Sequence, residues 1–269
     1  MPEAIFVPEG NRWLPTEAAL SPWGTEGLHG SCPSMLMARE VERFGAEQPM
    51  VVTRLTVELL RPFGLVPVEA RVRLLRPGRK VQLVEASLWH GDLEVVRATA
   101  VRIRAAEVAV PEPDPLPPPS LPEGLEPSEP RQIRGMRAYH TLGVEVRPNP
   151  ARPGIGPGWA WFRLRLPLVP GEEPSPLVRV CAAADFPNGI SSVVSWAEMI
   201  FINPDVTITV HRLPVDEWVC VDARTWLEPS GTGMAEGALY DRRGRIGRSV
   251  QTLLVEPRSG RAPGAPTAS

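Results

Sequence analysis

The chain has 269 residues, 43% hydrophobic and 22% charged, a balance that suits one or two globular domains with an ordinary core. A formal net charge of -2 and dispersed arginines exclude bulk attraction to nucleic acid or an anionic membrane. No stretch approaches the roughly 20 apolar residues that span a bilayer, and the opening MPEAIFVPEGNRW lacks the charged flank and apolar run of a signal peptide, so a cytoplasmic protein without a membrane span is expected.

The first predicted element is a short helix. Pro33 follows a cap at Ser31 or Cys32, Met37, Val41 and Phe44 fall at helical spacing, and Gly45 is the stop; Arg39, Glu40, Glu42 and Arg43 make one side polar. Four strands follow in MVVTRLTVELL, VEARVRLL, KVQLVEASLWH and EVVRATAVRI, which alternate with period two or run β-rich between Pro and Gly turns. Residues 109–131, centred on VPEPDPLPPPSLPEGLEPSEP, favour extended polyproline II and cannot supply a core. They are expected to be a linker between a unit at 1–108 and a unit at 132–258, with 259–269 a disordered tail. In the second unit GWAWFRLRLPL alternates Trp159 and Trp161 along a strand, as core or interface residues do. Ser175 as N-cap and Pro176 at the first helical position then open a helix, PLVRVCAAAD, that is apolar nearly all round and is expected to be buried under a curved sheet. VTITVHR, WVCVDARTW, GMAEGALYD and GRSVQTLLV complete the strands.

The two halves repeat. A shift of 151 residues lays Thr56 on Thr207, Arg61 on Arg212, Glu85 on Glu236, Leu88 on Leu239 and Arg97 on Arg248 without a gap. Identities that keep one register across strands and turns for over forty residues point to a duplicated unit, one helix and one antiparallel sheet in each half, which is an α+β class. The four arginines recur in both halves and are assigned to the common fold.

Most catalytic chemistries find no support. Cys32, Cys181 and Cys220 form no CxxC pair and read as buried thiols, and the four His residues form neither HxxxH nor HExxH, so no metal is expected. His211, Asp241 and Ser249 invite a triad, but no GxSxG elbow accompanies them. Asp185 stands out: it is the one acid ending the second helix, in an apolar run before the FPNG turn. Read alone it caps that turn; as a base it would have its pKa raised by the helix C-terminus and the apolar surroundings.

A duplicated helix-and-sheet unit with ADFPNG ending the second helix, INPDVTITVHRLP opening a strand, EWV after it and GRIGRSVQTLLV near the end resembles the acyl-CoA thioesterase II type of double hot-dog protein. LHGS and LLRPFGLVPVEARVRLLRPGRKVQLVEASL carry the resemblance through the first half. It implies a double hot-dog fold and hydrolysis of acyl-CoA or another acyl-thioester by a water held between an Asp, a Thr and a Gln, with no metal or redox cofactor. Carried over by motif, the Asp is Asp185 and the Gln is Gln251; the Thr position holds Asn203, which lacks a hydroxyl. By the geometry of paired units, the backbone N–H groups of LHGS (His29, Gly30, Ser31) would bind the substrate's oxyanion, with Gly30 letting the thioester approach. Under the 151-residue shift Asn203 lies over Val52 and Gln251 over Ala100, so one site per chain is implied. Two rivals stand beside this reading: an acyl-CoA binder without turnover, if Asn203 misplaces the water, and an enoyl-CoA hydratase, ranked lower because ADFPNGIS lacks the His such enzymes place there. Monomer and homo-oligomer both fit.

Overall fold

In the computed structural model, which describes residues 2–22, 24–45, 47, 49–111, 116–128, 135–151 and 154–258, the repeat reappears as a repeat of strand bounds. In the first half β1 (Phe6–Glu9) and β2 (Arg12–Pro15) form a small hairpin, β3 (Leu20–Ser21) pairs with β4 (Gly24–Leu28), and helix α1 (Ser31–Arg43) precedes β5 (Met50–Leu59), β6 (Glu69–Arg76), β7 (Val81–His90) and β8 (Leu93–Arg104). The second half holds a single π-helical turn (Tyr139–Gly143), β9 (Val144–Pro148), β10 (Gly158–Leu164), α2 (Pro176–Ala184), a short α3 (Pro187–Ile190), and β11 (Met199–Ile202), β12 (Asp205–Val210), β13 (Val219–Leu227), β14 (Thr232–Asp241) and β15 (Gly244–Pro257). Shifting β7 by 151 gives the bounds of β14, and the pair Leu88 with Val96 becomes Leu239 with Gly247.

One antiparallel sheet runs through both halves in the order β6-β7-β8-β5-β12-β15-β14-β13-β10-β9, with β11 also on β15. The halves meet where β5 pairs with β12, Thr56 opposite Thr207, their hydroxyls 3.1 Å apart. Residues related by the duplication therefore face each other there, as at a local two-fold axis. α1 packs on β5 to β8 and α2 on β10 and β12 to β14, the two helices lie against each other, and side chains of both halves form one continuous core. This is the double hot-dog arrangement: a helix on a curved antiparallel sheet, twice.

Ser175 caps α2 as expected, its hydroxyl accepting from the Val178 N–H, and of the helix only Pro176 and Arg179 escape full burial. α1 differs from expectation at its start. Its N-cap is Gly30, and the Ser31 hydroxyl, instead of capping, donates to the Ala182 carbonyl across the helix pair. Residues 31–38 are buried on every side, so only the last turns carry the polar face, where Arg39 lies over the Trp13 ring and bonds Glu172. Gly45 ends the helix at φ +59, a conformation costly to residues with a Cβ.

The Pro-rich stretch departs from a free spacer. Its described residues 116–128 have no helix or strand but dock along the second unit, where Arg245 N–H donates to Leu116, Trp161 Nε1–H to Ser120, Arg147 to Pro122, and the Ser128 N–H to Val146. Proline removes donors but keeps carbonyls, so an extended Pro-rich chain remains a row of acceptors that a folded surface can use. The tail at 259–269 lies outside the described residues.

Candidate active site

α2 delivers Asp185 at its C-cap, with the following chain turned back by Pro187 into α3. The carboxylate is buried, only 5% exposed, and its two oxygens have different surroundings. Oδ1 accepts from Asn203 Nδ2 and from Gln251 Nε2, each at 2.7 Å. Oδ2 faces the start of α1, 3.4 Å from His29 Nδ1. Burial is the dominant influence and pushes the Asp185 carboxyl up to about 7, against hydrogen bonds from Asn203, Gln251 and the Ser31 backbone; the charge of Asp205 adds to the rise.

His29 does not act as a counter-ion. Its Nδ1 accepts from the Ser31 N–H at 3.2 Å, and burial, then His140, hold its pKa well below the ordinary value. A neutral ring that uses this nitrogen as an acceptor has no proton on it to give Asp185, so the contact is not an ion pair. The ring instead packs on Tyr139, His140 and Phe186, with centroids 4.7 to 4.9 Å away.

Asn203 and Gln251 reach Asp185 because the second copy differs from the first at two inward-facing positions. In β5 the counterparts are Val52 and Ala100 of β8, both buried against the core. Asn203 sits where the strand breaks at Pro204, and its amide donates to Asp185 and to the Asp205 carbonyl. Gln251 is wholly buried: Nε2 serves Asp185 Oδ1 and its carbonyl oxygen, and Oε1 accepts from the Asn188 N–H at 3.2 Å. Every polar atom of Gln251 is thus committed, so in this arrangement it holds the carboxylate rather than a water.

Gly30 and Ser31 need a different account from the sequence-based one. A Cβ on Gly30 would lie 2.5 Å from Asp185 Oδ2, so the missing side chain makes room for the carboxylate itself. The Ser31 hydroxyl is spent on Ala182 and offers nothing to a ligand; only its N–H points at this cluster. The Gly30 N–H has no hydrogen-bond partner among the described residues.

A cleft of about 840 Å³ opens over these groups. Both units build it: Phe63 and Val96 from the first, Phe186, Trp196 and Leu254 from the second, and Asp185, Asn203, His29 and Gly30 line it as well. Its lining is mostly apolar, and Arg61 and Glu26 lie along it. Two further expectations fit the geometry. Arg61 donates to the Glu94 carbonyl and Arg212 to Gly244, each holding the hairpin of its own unit. Asp241 is engaged by Arg212, and His211 is exposed, so no triad forms. Sequence reading missed His140, which joins the cleft wall from the π-helical turn; YHTLG has no periodicity or motif that would have marked it.

Comparison with known proteins matches residues 19–103 to the acyl-CoA thioesterase N-terminal domain and residues 108–255 to the acyl-CoA thioesterase C-terminal domain. No curated protein matches the chain. Among solved structures, a hot dog fold protein of unknown function from Alicyclobacillus acidocaldarius superposes with TM-score 0.73 at 14% identity, covering 96% of this chain and 97% of its own. A candidate thioesterase II from Thermobifida fusca YX gives 0.70 at 19%, covering 94% and 96%. The acyl-CoA thioesterase II TesB2 from Mycobacterium marinum gives 0.64 at 19%, also covering 94% and 96%. At such identities these likenesses are of fold, whereas the two domain matches run in order through nearly all of both units: the chain belongs to the acyl-CoA thioesterase family of thioester hydrolases.

Proposed function

We propose that the chain hydrolyses acyl-CoA thioesters with Asp185 as general base, positioned by Asn203 and Gln251. The observation that carries this reading is the asymmetry of the Asp185 carboxylate. Two amides fix Oδ1, while Oδ2 is turned to the start of α1 and lies among the residues that line the cleft, so the two oxygens are not equivalent. A base with a pKa near 7 accepts a proton from water with useful driving force at neutral pH, and an ordinary exposed aspartate does not. Water attacks the thioester carbonyl as its proton passes to Oδ2, and charge gathers on the carbonyl oxygen. Collapse then breaks the C–S bond, and the thiolate takes the proton from Asp185 to leave as CoA thiol beside the free acid, with the Asp185 carboxylate restored. The reaction consumes only water and thioester, and the apolar cleft suits an acyl chain.

Asn203 supports a second reading, acyl-CoA binding without turnover, because both N–H groups of its amide are engaged and it lacks the hydroxyl of the family's Thr. Thiol release from short, medium and long acyl-CoAs separates the two. Turnover is expected, lost in folded Asp185→Ala and reduced in Gln251→Ala, with kcat/KM rising with pH through about 7 as Asp185 ionises. Binding of every acyl-CoA with no thiol released would leave the binder.

A further inference from the structure

At the start of α1 the Gly30 N–H is a backbone donor without a partner among the described residues, and a developing oxyanion is generally met by more than one donor. A second candidate stands in the cleft wall. His140 belongs to the single π-helical turn Tyr139–Gly143, a rare conformation that recurs at functional sites. The turn is pinned on both sides. The Tyr139 hydroxyl donates to the Ala182 carbonyl at 2.9 Å, and Gly143 packs so closely on the Tyr139 ring that a Cβ there would lie 2.5 Å from it. With Tyr139 fixed in the core, His140 is turned to the cleft, edge-on to His29 at 4.7 Å and to Phe186 at 5.0 Å.

The two nitrogens of His140 are not equivalent. Nδ1 is buried with no hydrogen-bond partner among the described residues, while the residue as a whole is partly exposed, so the Nε2 edge is the one that reaches the cleft. A proton on Nδ1 would be a buried donor with nothing to accept it; a proton on Nε2 meets the cleft. The favoured form is therefore a neutral imidazole with Nε2–H presented to the cleft that Asp185 also lines.

We propose that His140 is a further catalytic residue of this hydrolase, its Nε2–H donating to the thioester carbonyl oxygen as negative charge gathers there. The inference rests on the hydrolase reading above. Burial holds the His140 pKa down to about 4, so the ring stays neutral across the working range and acts as a fixed dipole, not as a proton carrier.

The test is acyl-CoA turnover by His140→Phe and His140→Gln, each checked for folding by circular dichroism and thermal melting. Phe keeps the ring's bulk without the donor, and Gln returns an N–H at similar reach. The expected result for Phe is a fall in kcat of about 10²-fold with KM within about threefold, partly restored in Gln, and a pH profile of the Gln variant parallel to that of the native protein. A raised KM with unchanged kcat, or no change, would make His140 a wall residue and overturn the inference while the hydrolase reading stands. Loss of a pH limb in the Gln variant would make it a proton carrier and overturn the inference too. Absence of turnover in the native protein would sink both readings, so the two failures are distinct.

Discussion

Asp185 is held in place by what surrounds it more than by its own helix, and Gly30 is the tightest of these constraints. Gly30 has an ordinary helical φ of −59, so alanine meets no backbone strain there. Its Cβ would press on a short, buried carboxylate already tied to two amides. Gly30→Ala is therefore expected to move Asp185, reducing kcat by at least about tenfold while costing only about 1–3 kcal/mol of stability; steady-state kinetics with a denaturant melt checks both, and unchanged kcat would refute it. The same carboxylate has a stability signature. With its pKa raised by burial from an ordinary 3.8 to about 7, the folded protein holds a proton between those values that the unfolded chain has released. Asp185 therefore costs least below about pH 4 and its penalty grows as pH rises toward 7, to at most about 4 kcal/mol. Asp185→Asn should melt above the native protein at pH 8, with the gap closing toward pH 5; a gap independent of pH would mean the carboxyl is not perturbed by burial. Asp185, Asn203 and Gln251 were legible because a motif order singles them out. That Gln251 grips the carboxylate, that Gly30 clears room for it, and that His140 shares the cleft were not, since each depends on distances between residues far apart in the chain.

The strands were the most legible part of the fold, because alternation is set by one buried face and the 151-residue register carries it from one half to the other. The helix ends were less so. Ser31 looks like a cap, yet its hydroxyl finds a better partner on α2, an interaction that only the packing of the two helices creates. At their other ends the helices solve one problem in two ways. Arg102 of β8 donates to the carbonyl of Phe44, the C-cap of α1, and Gln251 of β15 donates to the carbonyl of Asp185, the C-cap of α2. A guanidinium closes an end whose C-cap carries no acid, whereas the Gln251 amide closes one whose carboxylate it also bonds, so the buried carboxylate cluster sits at the end of α2. Ser175 shows how closely the helices depend on each other, since its hydroxyl accepts from the Val178 N–H and donates to Glu42 of α1 at 2.5 Å. Burial, only partly offset by this bond, raises the Glu42 pKa. Ser175→Ala should cost about 1 kcal/mol by losing the cap, seen as a lower denaturation midpoint at unchanged slope, and leave kcat within about twofold because Asp185 lies at the far end of α2.

The two halves share a core, a sheet and a cleft, so neither is a self-sufficient domain. Thr56 meets Thr207 in the middle of the sheet, α1 lies on α2, and the main apolar cluster draws residues from both halves. A separated first half would expose the edge of β5 and the first turns of α1, which are buried on all sides and carry no charged residue to offer solvent. The chain link is a weaker tie. Residues 105–111 are exposed and outside any strand, whereas the described stretch 116–128 belongs structurally to the second unit through its carbonyl contacts. A protease site inserted after Glu107 would thus cut the only covalent connection without removing a single described contact of the docked stretch. The cleaved fragments are expected to elute together in native size exclusion, to separate in denaturant, and to retain thiol-releasing activity, because the cleft needs Phe63 and Val96 from one fragment and Asp185 from the other. Expressed alone, residues 1–108 should be insoluble or unfolded by circular dichroism. Fragments that part under native conditions while each melts cooperatively would instead mean that the shared core contributes little, and that the covalent link, not the β5–β12 pairing, keeps the cleft assembled.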